Sequence, residues 1–261
     1  MLTNSEKRRI RILVSNDDGI DAAGLKTLVD ALSAVADVYV SAPDGERSAK
    51  SHSITSKRPI HIRKTEMANT VYAMTTDGTP SDCVKSAINI LRENGIEIDV
   101  VYSGINHGAN LGVDTLYSGT VAAAVEGALC GKPAVAVSVC SHTATHFDYA
   151  AELAVRCLDM LDEKSLLNIN VADIPYDEVK GVRITKLGSI DYKPWFRAVE
   201  GSDRGLSDLD VKYVYRGTAV YHDTDDEIDT VAITKGFASI TPLDYDFTDN
   251  KRIAEMKRWG L

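Results

Sequence analysis

Short apolar runs recur along the first 172 residues, and stretches of helical periodicity separate most of them. "RIRILVSN", "DVYVSAP", "IDVVYSGI", "PAVAVSVC" and "LLNINVAD" each have strand length and β-branched content. The residues 21–36, "DAAGLKTLVDALSAVA", place Leu25, Leu28, Val29 and Leu32 on one helical stripe. Further helices are predicted from Pro80 to about Asn94, over "LYSGTVAAAVEGALCG", where Gly131 and Pro133 stop it, and from about Phe147 to Leu161. Strands joined by helical crossovers of about a dozen residues must run parallel, with helices on both faces of the sheet. The expected fold is therefore α/β, a doubly wound, mostly parallel, Rossmann-like three-layer sheet. "PIHIRK" and "TVYAMTT" are two further strand candidates.

Beyond Asp173 the pattern changes. "GVRITKL", "DVKYVYRGTAVY" and "TVAITKGFASITPL" alternate polar and apolar residues, which predicts antiparallel hairpins. The expected division is a core over residues 1–172 and a C-terminal hairpin extension over 173–261 that serves oligomerisation and closes on the same domain.

A chain of 261 residues with formal charge −9 lacks the basic face that nucleic-acid polymers need. After the polar start "MLTNSEKRR" only about five apolar residues precede Asn16, too few for a signal h-region. No stretch approaches the roughly 20 apolar residues of a membrane span. Cys83, Cys130, Cys140 and Cys157 form no CxxC pair and sit in mostly apolar surroundings, as reduced core residues of a cytoplasmic protein do.

In an open parallel sheet, ligands bind beyond the carboxyl ends of the strands. There the first strand offers Asp17 and Asp18, the polar connection of residues 44–58 offers Ser48, and "SGINHGANLG" offers Asn106 and Asn110. Adjacent carboxylates in a loop repel unless a cation sits between them. Carboxylates joined by neutral Ser and Asn oxygens suit a hard ion, Mg²⁺ or Mn²⁺, better than zinc. Ser118, Gly119 and Thr120 stand where a helix begins, and the free N–H groups of a first turn favour a phosphate. The glycines at 104, 108 and 112 permit a loop whose N–H groups approach an anion. Metal and anion sites together point to phosphoester chemistry.

Each signal has an ordinary alternative. "DDG" is a common solvated turn, Asn tolerates left-handed turn positions, and "SGT" also reads as a plain helix start. "DGTPSDCV" fits a helix start with Thr79, Pro80 and Asp82 at N-cap, N1 and N3. His52 reads equally as a substrate contact or acid toward the leaving group and as an exposed loop residue, and His107, inside the Gly/Asn loop, as projecting to solvent. What favours the functional reading is that all of these residues fall at one edge of one sheet.

In order and spacing, "ILVSNDDGI", "SAPDGERSAKSHSIT", "GTPSDCV", "SGINHGANLG", "YSGTVAAAVEG" and "FASITPLDYDFTD" resemble the SurE family of stationary-phase survival proteins. The likeness runs from about residue 11 to 249. It implies a cytoplasmic metal-dependent nucleotidase that removes phosphate from nucleoside 5′-monophosphates, with 3′-monophosphates and short polyphosphate as further substrates. It also implies one Mg²⁺ or Mn²⁺ per subunit and a homodimer or homotetramer built through C-terminal hairpins. By motif match, the metal ligands fall on Asp17, Asp18, Ser48 and Asn106, and the phosphate contacts on Asn110, Ser118, Gly119 and Thr120. Asp17 and Asp18 are also the catalytic pair, whether water or a carboxylate attacks phosphorus. "DYKPWFRAVEG" follows the family pattern only loosely. Two other functions use similar residues: a metal- and nucleotide-binding regulatory module without turnover, and a metal-dependent nucleotide-sugar transferase.

Overall fold

Strand β1 (Arg11–Ser15) has no face toward water: Ile12 and Val14 point into one hydrophobic cluster and Leu13 into a second on the other side of the sheet. Alternation with both sets apolar is what a central parallel strand requires. The computed structural model describes residues 8–199, 210–215 and 217–259.

Helix α1 (Ala23–Ser33) follows β1 and buries the stripe Leu25, Leu28, Val29 and Leu32. Next come β2 (Asp37–Pro43), β3 (Ile62–Thr65) and β4 (Tyr72–Thr76). Helix α2 (Pro80–Glu93) opens on a full capping box: Thr79 accepts from the Asp82 N–H, and the Asp82 carboxylate accepts from the Thr79 N–H, with Pro80 at the first position. The core is completed by β5 (Val100–His107), α3 (Gly119–Leu129), β6 (Ala134–Val139), α4 (Asp148–Cys157) and β7 (Leu166–Val171).

The extension contains β8 (Val182–Ile184), β9 (Ile190–Lys193), β10 (Phe196–Ala198), β11 (Tyr213–Tyr215), β12 (Thr218–Tyr221), α5 (Asp229–Thr234), β13 (Ala238–Pro242) and α6 (Asn250–Lys257). Nine strands form the main sheet in the order β3-β4-β2-β1-β5-β6-β7-β13-β8. From β4 to β7 the neighbours are parallel; β3 and β13 pair antiparallel at the two sides, and β8 runs parallel to β13. Helices α1 and α4 supply one cluster, α2 and α3 the other, giving the three-layer α/β fold expected. The chain winds outward from β1 to β2 and β4, then α2 carries it back past β1 to β5. The order therefore reverses between β1 and β5, and the crevice beyond their carboxyl ends is where such a sheet binds ligands.

Four expectations change in detail. "TVAITKGFASITPL" is not a hairpin: its first half is α5 and its second half β13. The β-branched residues are held helical because Val231 and Ala232 bury their side chains, a tertiary contact that outweighs propensity. "GVRITKL" supplies β8, a parallel edge strand. Asn106 and His107, expected in a loop, are the last residues of β5, paired with Ser138 and Val139 after a register shift. The stretch "DVKYVYRGTAVY" supplies β11 and β12, which pair antiparallel with β10 and β9 rather than with each other. Among the described residues no helix is long and apolar enough to cross a membrane.

Candidate active site

The turn after β1 is built by Asn16, whose Nδ2 donates to Gly19 O at 2.9 Å while its Oδ1 accepts from the Gly19 N–H at 3.2 Å. Gly19 has φ +102°, and a Cβ there would lie 3.1 Å from the backbone of Gly45. Only glycine lets the 44–48 loop pass this close. The Arg47 N–H donates to Asp17 O at 2.7 Å, and the Ile20 N–H to Pro43 O at 2.9 Å. These bonds stitch the two strand ends together, with Arg47, the neighbour of Ser48, against the backbone of Asp17. Ser48 itself is exposed, and its hydroxyl donates to Glu46 Oε1 at 2.7 Å.

The two aspartates face different partners. Asp17 is buried, and its Oδ1 accepts the Thr120 hydroxyl at the start of α3. Gly119 lies so close that a Cβ would sit 2.8 Å from both Cβ and Oδ2 of Asp17. Asp18 Oδ2 accepts from the His107 N–H at 3.0 Å and lies 3.2 Å from His107 Nδ1. Among the described residues no Lys or Arg forms an ion pair with either. Burial, with the charge of Asp18 adding to it, pushes the Asp17 carboxyl up to about 6 against the pull of the Thr120 hydrogen bond.

Asn106 is buried, and its Nδ2 donates to Gly108 O at 2.9 Å, which fixes the side-chain amide and leaves its Oδ1 as an acceptor. Among the described residues no three His, Cys, Asp or Glu side chains gather as a metal site. An ion held by Asp17 and Asp18 would have to draw its other ligands from neutral oxygens, the donor chemistry of a hard divalent cation.

Helix α3 begins in the same crevice. Ser118 Oγ accepts from the Val121 N–H at 3.0 Å, so this hydroxyl caps the helix, and the first turn of α3 stands against the Asp17 carboxylate. The Gly/Asn loop does less for an anion than its glycines suggest. The Gly108 N–H donates to Val139 O at 2.9 Å and the Gly112 N–H to Asp229 Oδ2 at 2.8 Å. Those two donors are consumed by the fold, because the loop must cross the buried ends of β6 and β7 and satisfy its own backbone. Asn110 is buried, its Nδ2 donating to Ser138 Oγ at 2.8 Å.

Two residues carry more than their sequence positions signal. His107 is an orienting partner of Asp18, with its ring edge-on to Phe147 at 5.0 Å. His52 Nε2 lies 2.8 Å from Oε2 of the buried Glu126, and Lys85 Nζ donates to Oε1 of the same carboxylate at 2.8 Å. The His52 hydrogen bond, then Lys85, hold the Glu126 carboxyl below the ordinary glutamate range despite burial. A polar residue late in an apolar helix is the only advance sign of this latch.

The family model for survival protein SurE matches residues 12–194 of this chain. A protein of Petrotoga mobilis called 5′-nucleotidase SurE is 41% identical over 255 residues, covering 96% of this chain and 99% of its own length. Proteins of the same name from Syntrophomonas wolfei and Methylococcus capsulatus are each 41% identical over 256 residues, covering 95% and 96% of this chain and 94% and 97% of their own. The crystal structure of the SurE protein from Aquifex aeolicus superposes with a TM-score of 0.80 at 32% identity, covering 96% of this chain and all of that one.

Proposed function

The chain belongs to the SurE family, and from that premise we propose that it is a divalent-metal-dependent phosphomonoesterase hydrolysing nucleoside 5′-monophosphates to nucleoside and phosphate. The relatives' shared name, 5′-nucleotidase, supports this reading. One observation of this chain carries it furthest. At the reversal point of the sheet, the buried Asp17 carboxylate meets the first turn of α3 while Asp18 turns to His107, and neither has a Lys or Arg ion-pair partner among the described residues.

Asp17, Asp18, Ser48 and Asn106 are assigned to one Mg²⁺ or Mn²⁺ per subunit, an all-oxygen set that fits such an ion. When bound, the ion supplies charge neutralisation and polarises a phosphoryl oxygen. Thr120 and Gly119 fix where the Asp17 carboxylate stands, and His107 fixes Asp18. The N–H groups at Ser118, Gly119 and Thr120, with the second amide proton of Asn110, are assigned to the remaining phosphoryl oxygens. There they stabilise charge as it develops on phosphorus. The reading includes a core over 1–172 and an extension over 173–261 that returns to it, supported by β8 and β13 in the main sheet. It also includes assembly as a homodimer or homotetramer. Four free cysteines support a cytoplasmic setting.

The test is phosphate release from a panel of 5′- and 3′-mononucleotides and short polyphosphate, with Mg²⁺, Mn²⁺ or chelator. Release that needs the ion is expected. Turnover indifferent to chelation would sink the metal assignment. Tight mononucleotide binding without release would mark a regulatory module, and consumption of an activated sugar a transferase.

A further inference from the structure

We propose that Asn168 and Asn170, two fully buried residues of β7, are positioning residues for the phosphate site. They act through Asn110, an inference that rests on the assignment of Asn110 to the phosphate. Being two apart, they point to the same face of the sheet. There Asn170 stands in register with Ser138 of β6 on one side and Ser239 of β13 on the other, and Ser138 in turn with Asn106 of β5. A polar row thus crosses a region that is otherwise hydrophobic core, and it starts at a proposed metal ligand.

The row grips one residue. The Asn110 N–H donates to Asn170 Oδ1 at 2.9 Å. The Asn110 carbonyl accepts from Asn168 Nδ2 at 2.8 Å and from Asn170 Nδ2 at 3.0 Å. The Asn110 side chain donates to Ser138 Oγ at 2.8 Å. With its N–H and both carbonyl lone pairs engaged, the backbone of Asn110 has one orientation, and the Ser138 bond fixes the side-chain rotation. One amide proton of Asn110 Nδ2 is used inside the protein, and the other has a defined direction.

Asn168 supplies the independent sign that this arrangement serves something besides stability. Its Oδ1 is buried and has no hydrogen-bond partner among the described residues. A core residue that strands an acceptor is worse for folding than an apolar one of its size. Asn170 already donates to the Asn110 carbonyl, so the second donor is not needed to avoid an orphaned group. What it adds is rigidity at Asn110.

The test is a double-mutant cycle read by calorimetric binding of inorganic phosphate in the presence of Mg²⁺, with thermal melts beside it. Asn168→Leu should hold or raise Tm yet weaken phosphate binding about tenfold, the scale on which supporting hydrogen bonds act. In an Asn110→Ala background the same change should cost less than about twofold, because the backbone bond remains but the side chain it positions is gone. Should Asn168→Leu not fold, Asn168→Ala serves in the same cycle. Unchanged phosphate affinity in a folded Asn168 variant, an equal loss in both backgrounds, or no phosphate binding by the native protein would overturn the proposal. Coupled phosphate binding without mononucleotide turnover would overturn the nucleotidase reading and leave this inference standing.

Discussion

At the level of single residues, the site turns on one carboxylate whose charge burial disfavours. Asp17 is raised from an ordinary 3.8 to about 6 by desolvation first, with Asp18 adding to it. Its protonated form is thus the one the metal-free fold prefers, so its contribution to stability is full below 3.8 and is lost as pH rises to about 6. In chelator, Asp17→Asn should therefore be more stable than the native chain at pH 7.5, by on the order of 2–3 kcal/mol at most. Denaturant midpoints should show the gap closing as pH is lowered to 4. The same variant should lose roughly 10²-fold or more in phosphate release, since a main electrostatic stabiliser is gone. Gly119→Ala makes the complementary case. A methyl 2.8 Å from both Cβ and Oδ2 of Asp17 must displace the whole side chain, so activity should fall at least about tenfold and Tm, followed by circular dichroism, should fall with it. The aspartates were legible in the sequence because consecutive acids after an apolar strand need a reason. His107, Asn168 and Asn170 were not, because their significance lies in which neighbouring strand they meet.

Among elements, the polar connection after β2 is held far more tightly than its composition suggests. Ser51 donates from its N–H to Tyr117 O at 3.1 Å and from its hydroxyl to Leu116 O at 2.6 Å. The Thr55 N–H reaches Asp82 at 3.1 Å, and the Ser53 carbonyl accepts from Thr79 Oγ at 2.7 Å. His52 on Glu126 closes the set. Those anchors sit at the starts of α2 and α3 and along α3, so the loop that carries Ser48 is fixed by the helices bordering the crevice. Glu126→Gln should cost about 1–2 kcal/mol, because both partners are partly exposed and can return to water. The pH sign is opposite to that of Asp17. A carboxyl held below its ordinary 4.5 contributes stability above that value and loses it as pH falls through the lowered one. The difference between native and variant midpoints should therefore shrink toward acid, and amide exchange over residues 48–56 should quicken in the variant. Core strands and helices were readable because they repeat with fixed periods. Helix α5 was not, because its β-branched residues are helical only once β7 and β13 give them something to pack on.

On the scale of the whole molecule, the ribbon of β9 to β12 has no core of its own and displays Trp195, Phe196, Tyr213 and Tyr215, each more than half exposed. Two-stranded ribbons of three or four paired residues are marginal in isolation, and this aromatic surface is what the proposed homo-oligomer would bury. Its change of pattern after Asp173 was visible in the sequence; how it ties to the site was not. Asp229, fully buried, accepts from the Gly188 N–H just before β9 and from the Gly112 N–H in the Gly/Asn loop, both at 2.8 Å. Tyr192 of β9 donates its hydroxyl to Asp114, in the single turn of tighter helix that precedes Ser118. The root of the ribbon therefore bears directly on the chain that leads into the proposed phosphate turn, and strain on one is felt by the other. Phe196→Asp breaks the ring contacts to Tyr213 and Tyr215, at 6.3 and 5.6 Å, and puts a charge on the contact face. Sedimentation velocity should show a smaller species than the native assembly, with Tm of the core held, since Phe196 is more than half exposed and stands in neither buried hydrophobic cluster. If assembly holds the ribbon in the orientation that seats Tyr192 on Asp114, phosphate release should fall severalfold with KM rising more than kcat drops. A variant that sediments as the native chain does would remove the ribbon from the interface. One that dissociates with kinetics intact would confine the ribbon to assembly and leave Asp229 as the sole support of the loop from the extension.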